Sequence, residues 1–220
     1  MKVKICGITN LEDALHCASG GADALGFIFY EKSKRFVDYR KAKTIAASLP
    51  FFVMKVGVFV NENPETVNAA ASEIGLNAVQ LHGQEDPDYL KRIELPAIKS
   101  FRVGESFDYS VIEKYNDCGI LLDTFSPDGY GGTGKSFNWN SIPENLKNKI
   151  ILSGGISADN IDAVVNQVRP AAIDLSSSLE SVPGRKDYKK VKTFFEKLNS
   201  LRNREQLNLH RNTETSPQKS

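Results

Sequence analysis

The chain has 220 residues, 40% of them apolar and 25% charged, with a formal net charge of +1. That length supports one sizeable core, and with no run of about 18 uninterrupted apolar residues there is no candidate membrane helix. A charge this close to zero argues against nucleic acid as a partner, which needs a concentrated basic surface.

No apolar leader precedes the first glycine, Gly7, so a cytoplasmic protein is the expectation. Cys6, Cys17 and Cys118 are odd in number and lack metal-ligand spacing, which predicts reduced thiols. Cys17 and Cys118 read as small hydrophobic fillers.

In chain order, Lys2-Val-Lys-Ile-Cys6 is an apolar run closed by a thiol. Thr9 with Glu12 reads as a capping box for a helix bearing the stripe Leu11, Ala14, Leu15 and Ala18. A second run at 24–29 leads into Glu31-Lys-Ser-Lys-Arg35, where Arg35 offers a planar fork suited to a carboxylate. The stripe Ala42, Ile45, Ala46 and Leu49 precedes a third run at 53–59. Asn63-Pro64 then caps a helix striped by Val67, Ala70, Ala71 and Ile74, which Gly75 stops.

The fourth run, 77–82, ends Gln80-Leu-His82-Gly83, and the fifth, 96–101, is followed by Arg102. His82 reads equally as a hydrogen-bonded structural residue or a catalyst. Segments 86–93, 105–117 and 138–147 are weaker helices whose assignment rests on the alternation. The sixth run, Gly119-Ile-Leu-Leu-Asp123, places a carboxyl where burial without a partner is costly. Desolvation there raises its pKa and suits it to general acid work.

The runs at 149–153 and 171–175 lead into Ser153-Gly154-Gly155 and Asp174-Leu-Ser176-Ser177. Small residues let backbone amides approach a phosphate. Stripes at Ile161, Val164, Val165 and Val168, and at Val191, Phe194, Phe195 and Leu198, supply the last helices. From about Arg202 the chain turns polar, so 1–201 is expected as one domain and 202–220 as a frayed extension of the last helix and a polar, disordered tail.

Gly129-Tyr-Gly-Gly-Thr-Gly134-Lys135-Ser136 fits the spacing of a nucleotide phosphate loop. That loop needs a strand directly before it and a long helix directly after it. The run before it ends at Asp123, and Phe137 to Pro143 is poor helix material. A glycine-rich lid over the pocket fits better, with Lys135 aiding anion binding.

Near-continuous apolar strands alternating with helices imply a parallel sheet covered on both faces. Periodicity alone does not separate an open doubly wound sheet from a closed one. The count of eight units favours a single-domain (β/α)8 TIM barrel, whose function sits at the strand tips.

Lys4-Ile-Cys6-Gly7-Ile-Thr9, Gln80-Leu-His-Gly83, Leu122-Asp123, Gly131-Gly-Thr-Gly-Lys135, Ser153-Gly-Gly155 and Asp174-Leu-Ser-Ser177 occur in that order. Together they resemble the phosphoribosylanthranilate isomerase family, over roughly residues 2–200. The resemblance implies an Amadori rearrangement of N-(5-phosphoribosyl)anthranilate in tryptophan biosynthesis, with no metal and no organic cofactor. It implies Asp123 as general acid and Cys6 as general base. Arg35 is matched to the substrate carboxylate, and Gly154, Gly155, Asp174, Ser176 and Ser177 are matched to substrate binding, the glycines and serines gripping the phosphate.

Three departures accompany the resemblance. Ser178 stands where the family usually has glycine, and Glu31 and Lys34 stand where prolines are common, which predicts a less rigid loop around Arg35. A sister barrel acting on the related histidine-pathway aminoaldose pairs two aspartates, and Cys6 argues against it. A barrel that binds a sugar phosphate without turning it over is the non-enzymatic alternative. The oligomeric state is not readable from this pattern.

Overall fold

A computed structural model describes residues 1–125 and 137–214, with side chains through Arg204. The glycine-rich stretch with Lys135 lies outside the described residues. Eight parallel strands pair in chain order: β1 (Lys2–Cys6), β2 (Ala24–Ile28), β3 (Met54–Phe59), β4 (Ala78–Leu81), β5 (Ala97–Val103), β6 (Gly119–Thr124), β7 (Ile150–Ser153) and β8 (Ala172–Leu175). β8 also pairs with β1, so the sheet closes into the expected TIM barrel.

Period-two alternation divides each strand between two packed regions. Val3, Ile5, Phe27, Leu122, Leu152 and Ile173 pack outward into the main core, against Ala42, Ile45, Val67, Ala71, Phe194 and Leu198 of the helices. Val56, Val58, Ala78 and Leu121 are buried apart from that cluster and fill the barrel interior.

The helical segments are α1 (Leu11–Gly20), α2 (Tyr39–Ala47), α3 (Pro64–Ile74), α4 (Pro87–Leu90), α5 (Glu144–Lys147), α6 (Ile161–Ala163) and α7 (Tyr188–Glu214). α3 forms as its sequence predicts. Asn63 caps it by accepting the Glu65 N–H, Pro64 fills the first turn, and Gly75 ends it at φ 75°.

α1 differs from expectation. Its cap is Asn10, whose side chain accepts the Asp13 N–H, while the Thr9 hydroxyl donates to Gly184 O at 2.6 Å. The helix therefore begins one residue later, and the Thr9–Glu12 box does not form. Leu11 and Leu15 are 37% and 41% exposed, and Asp13 is buried instead with Ala14 and Cys17. Asp13 tolerates burial because its carboxylate accepts the Asn10 side-chain N–H and the Lys186 backbone N–H.

The weaker segments form short turns. The span 86–93 holds the single turn α4, 105–117 holds a 3-10 helix at Tyr109–Lys114, and 138–147 holds a 3-10 turn at Trp139–Ser141 followed by α5. The stripe at Ile161 to Val168 is buried as expected, but α6 widens into a π-type turn over Val164–Val168. Arg169 then turns left-handed at φ 53°, and Pro170 cannot continue a helix. α7 runs through Glu214, extending the last helix past residue 201, and 215–220 lie outside the described residues.

One unanticipated feature bears on the site. β9 (Glu180–Val182) and β10 (Arg185–Lys186) form an antiparallel hairpin after β8, turned by Pro183 and by Gly184 at φ 81°. Phe51 and Phe52, 90% and 93% exposed, lie on the connection entering β3, away from the strand tips. Among the described residues, no helix is long and apolar enough to cross a membrane.

Candidate active site

Cys6 is the last residue of β1 and Asp123 the penultimate residue of β6, and both line one pocket with Arg35, Gln80, His82, Ser153, Asp174 and Ser176. Barrel closure brings these tips together from opposite ends of the chain. Asp123 is 5% exposed, and its Oδ1 accepts the Thr124 N–H at 2.9 Å. Burial pushes its pKa up to about 6, with the Thr124 amide pulling the other way and the Asp174 charge adding to the rise.

His82 Nε2 stands 3.6 Å from Asp123 Oδ2. Burial, followed by Lys4, Lys99 and Arg102, pushes the imidazole pKa down to about 3, so the ring is neutral. The Gln80 side-chain nitrogen lies 3.1 Å from Nδ1, and Nε2 faces the carboxyl. The loop that carries His82 is pinned below by Glu85. That carboxylate takes the Lys99 ammonium at 2.6 Å and accepts the backbone N–H groups of Asn61 and Gly83.

Arg35 borders the pocket, but one edge of its guanidinium is committed. Nε meets both Glu180 oxygens at 2.9 and 3.0 Å, and Nη2 meets one at 2.7 Å. Glu180 also takes Lys186 Nζ at 3.0 Å; burial would push its pKa up, but these two cations hold it below the usual value. Lys186 is fully buried and donates onward to Cys6 O at 2.7 Å and Ser176 O at 3.3 Å. The loop before Arg35, without the family's prolines, is held by the Ser33 hydroxyl oxygen accepting the Arg35 N–H at 3.1 Å and by Ser33 N–H donating to Tyr30 O.

Next to this cluster a concavity is lined by Ser153, Gly154, Gly155, Ser176, Ser177 and Ser178. Gly154 and Gly155 have φ of 85° and 69°, and a Cβ on Gly154 would collide with Thr124. Asn160 braces the loop, donating to Gly155 O at 2.7 Å and accepting the Ser157 N–H at 2.9 Å. Among the described residues, Asp174 Oδ1 and Ser176 Oγ are buried with no protein hydrogen-bond partner, and both border this space.

A family model described as N-(5'-phosphoribosyl)anthranilate isomerase matches residues 3–197. The enzyme of that name from Trichlorobacter lovleyi is 50% identical over 196 residues, covering 88% of this chain and 96% of the relative. The chain belongs to the phosphoribosylanthranilate isomerase family. The crystal structure of the Thermotoga maritima isomerase superposes with a TM-score of 0.82 at 43% identity, covering 91% and 99% of the two chains. A complex of a phosphoribosylanthranilate isomerase with reduced 1-(o-carboxyphenylamino)-1-deoxyribulose 5-phosphate gives 0.79 at 40% identity, covering 91% and 99%.

The protein is thus an isomerase of tryptophan biosynthesis, converting N-(5'-phosphoribosyl)anthranilate into 1-(2-carboxyphenylamino)-1-deoxyribulose 5-phosphate. In this isomerase, all eight site residues drawn from the sequence border the pocket or the adjoining concavity. Glu180 and Lys186 carry no sequence signal as site residues, and Lys4 stands in the first motif without a role of its own. Lys4 was legible from strand alternation, which puts it on the same face as Cys6; Pro183-Gly184 was a turn signal for the hairpin carrying the other two. Arg102 pairs in register with Asp123, and its guanidinium lies over the Phe125 ring, 5.5 Å from the centroid.

Proposed function

We propose that this isomerase works by paired proton transfer, with Asp123 as general acid and Cys6 as general base. Asp123 protonates the furanose ring oxygen, and the C1–O bond breaks to give an open-chain iminium at the anthranilate nitrogen. The Cys6 thiolate then removes the C2 proton, and the electron pair moves toward nitrogen to give an enolamine. Proton return at C1 and loss of the C2 hydroxyl proton yield the ketone, so no atom is gained or lost.

The observation that carries this reading is Asp123, a carboxyl raised to about 6 in the pocket that also holds the Cys6 thiol. His82, a neutral imidazole whose Nε2 faces Asp123 at 3.6 Å, is placed to stabilise the carboxylate left after proton donation. Arg35 meets the anthranilate carboxylate with the edge that Glu180 leaves open. Amides at Gly154, Gly155, Ser176 and Ser177 hold the phosphate, and Asp174 Oδ1 accepts a hydroxyl of the pentose.

The test is the decay of substrate fluorescence with purified protein. Cys6→Ala and Asp123→Asn are each expected to lower kcat by roughly 100-fold or more while the fold survives. Turnover near the unaltered rate in either variant overturns the assignment.

A further inference from the structure

Lys4 lies two residues before Cys6, on the same face of β1. It is 4% exposed, and its Nζ donates to Asp174 Oδ2 at 2.9 Å, across the seam where β1 meets β8. Gly26, the register partner of Cys6 on β2, marks where the ammonium and thiol meet. A methyl group there would sit 2.7 Å from Cys6 Sγ and 3.1 Å from Lys4 Nζ. A buried ion pair is a weak source of stability, so its place beside the proposed base calls for a chemical account.

We propose that Lys4 is a positioning residue of the reaction: its ammonium, oriented by Asp174, favours Cys6 as the thiolate, and Gly26 is small so that the two can approach. This rests on the reading of Cys6 as the base. Burial pushes the thiol up, Lys4 is the largest influence pulling it back, Asp174 opposes, and Lys186 adds a smaller pull.

The groups facing Cys6 come from every side of the pocket. Lys186 from β10 holds the Cys6 carbonyl, Glu180 from β9 binds Lys186, and the Arg35 side chain packs over Gly7 from the loop after β2. Asp123 and His82 stand across the pocket. Lys186 donates to the Cys6 carbonyl and to Glu180, whereas Lys4 is the cation whose side chain meets the sulfur over Gly26.

The experiment measures iodoacetamide alkylation of the Cys6 peptide against pH by mass spectrometry, alongside steady-state kinetics. Lys4→Gln is expected to raise the alkylation midpoint by about one pH unit, slow alkylation roughly tenfold at pH 7 and lower kcat with little change in KM. Lys4→Arg is expected to restore the midpoint in part, and Asp174→Asn to lower it, since an opposing anion is removed. A purely structural role would not move the midpoint in opposite directions. An unchanged midpoint in folded Lys4→Gln overturns the proposal; if that variant does not fold, a midpoint that rises or stays in Asp174→Asn overturns it. Full activity in Cys6→Ala would instead defeat the base assignment, and the alkylation shifts would still report on Lys4.

Discussion

Glu180 closes on the guanidinium of Arg35 through three contacts of 2.7 to 3.0 Å, although 145 residues separate them. The same carboxylate neutralises the fully buried Lys186. Glu180→Gln therefore strands two cations and frees Arg35 to swing. Substrate KM is expected to rise several-fold with a smaller change in kcat, and denaturant unfolding to show a loss of about 3 kcal/mol.

Asp123→Asn is expected to lose activity and gain stability near neutral pH. A carboxyl raised from 3.8 to about 6 holds its proton more tightly in the folded chain. Its stabilising contribution is complete below the unfolded pKa and is lost as pH rises through the folded one. Asparagine does not titrate, so the variant should exceed the unaltered protein by about 1 to 3 kcal/mol at pH 7.5. Thermal melts across pH should show the gap closing toward pH 4, and a constant gap would contradict the raised pKa.

Gly26→Ala places a methyl group 2.7 Å from the Cys6 sulfur and 3.2 Å from its Cα. The thiol must turn away, because the paired backbone of β1 and β2 cannot part without losing hydrogen bonds. kcat is expected to fall at least tenfold, while stability drops by about 1 to 3 kcal/mol, the usual cost of overpacking. Kinetics and denaturation on the same preparation separate the two effects.

Lys99 and Glu85 are 4% and 1% exposed in their side chains and meet at 2.6 Å. Removing either alone strands a buried charge, so Lys99→Met is expected to cost about 3 to 5 kcal/mol. The pair Lys99→Met with Glu85→Leu should cost less than the sum of the single changes, as a double-mutant cycle would register. It will not be neutral, because the Gly83 and Asn61 N–H groups lose their acceptor.

The site was legible where chemistry interrupts a pattern. Asp123 closes four apolar residues of one strand and Cys6 ends another, and a titratable group at such a point is conspicuous without any partner in view. Lys4 was equally conspicuous by alternation, but it sat inside a segment read as one apolar run. Glu180 and Lys186 were not legible as site residues, because their meaning comes from Arg35, far away in the chain. α1 was misread because Thr9 and Asn10 both supply a capping oxygen; the competing contact of Thr9 with Gly184 decides between them. The short turns at 86–93 and 138–147 have too few apolar repeats to specify a helix, and the barrel needs little from them.

Register places Lys4 opposite Asp174, in the first and last strands of the ring. A growing polypeptide on the ribosome therefore exposes its ammonium early and must wait for nearly the entire protein before the matching carboxylate is made. Products that end before β8 carry the thiol and the acid but cannot close the ring, because β1 finds its second neighbour only in the last strand.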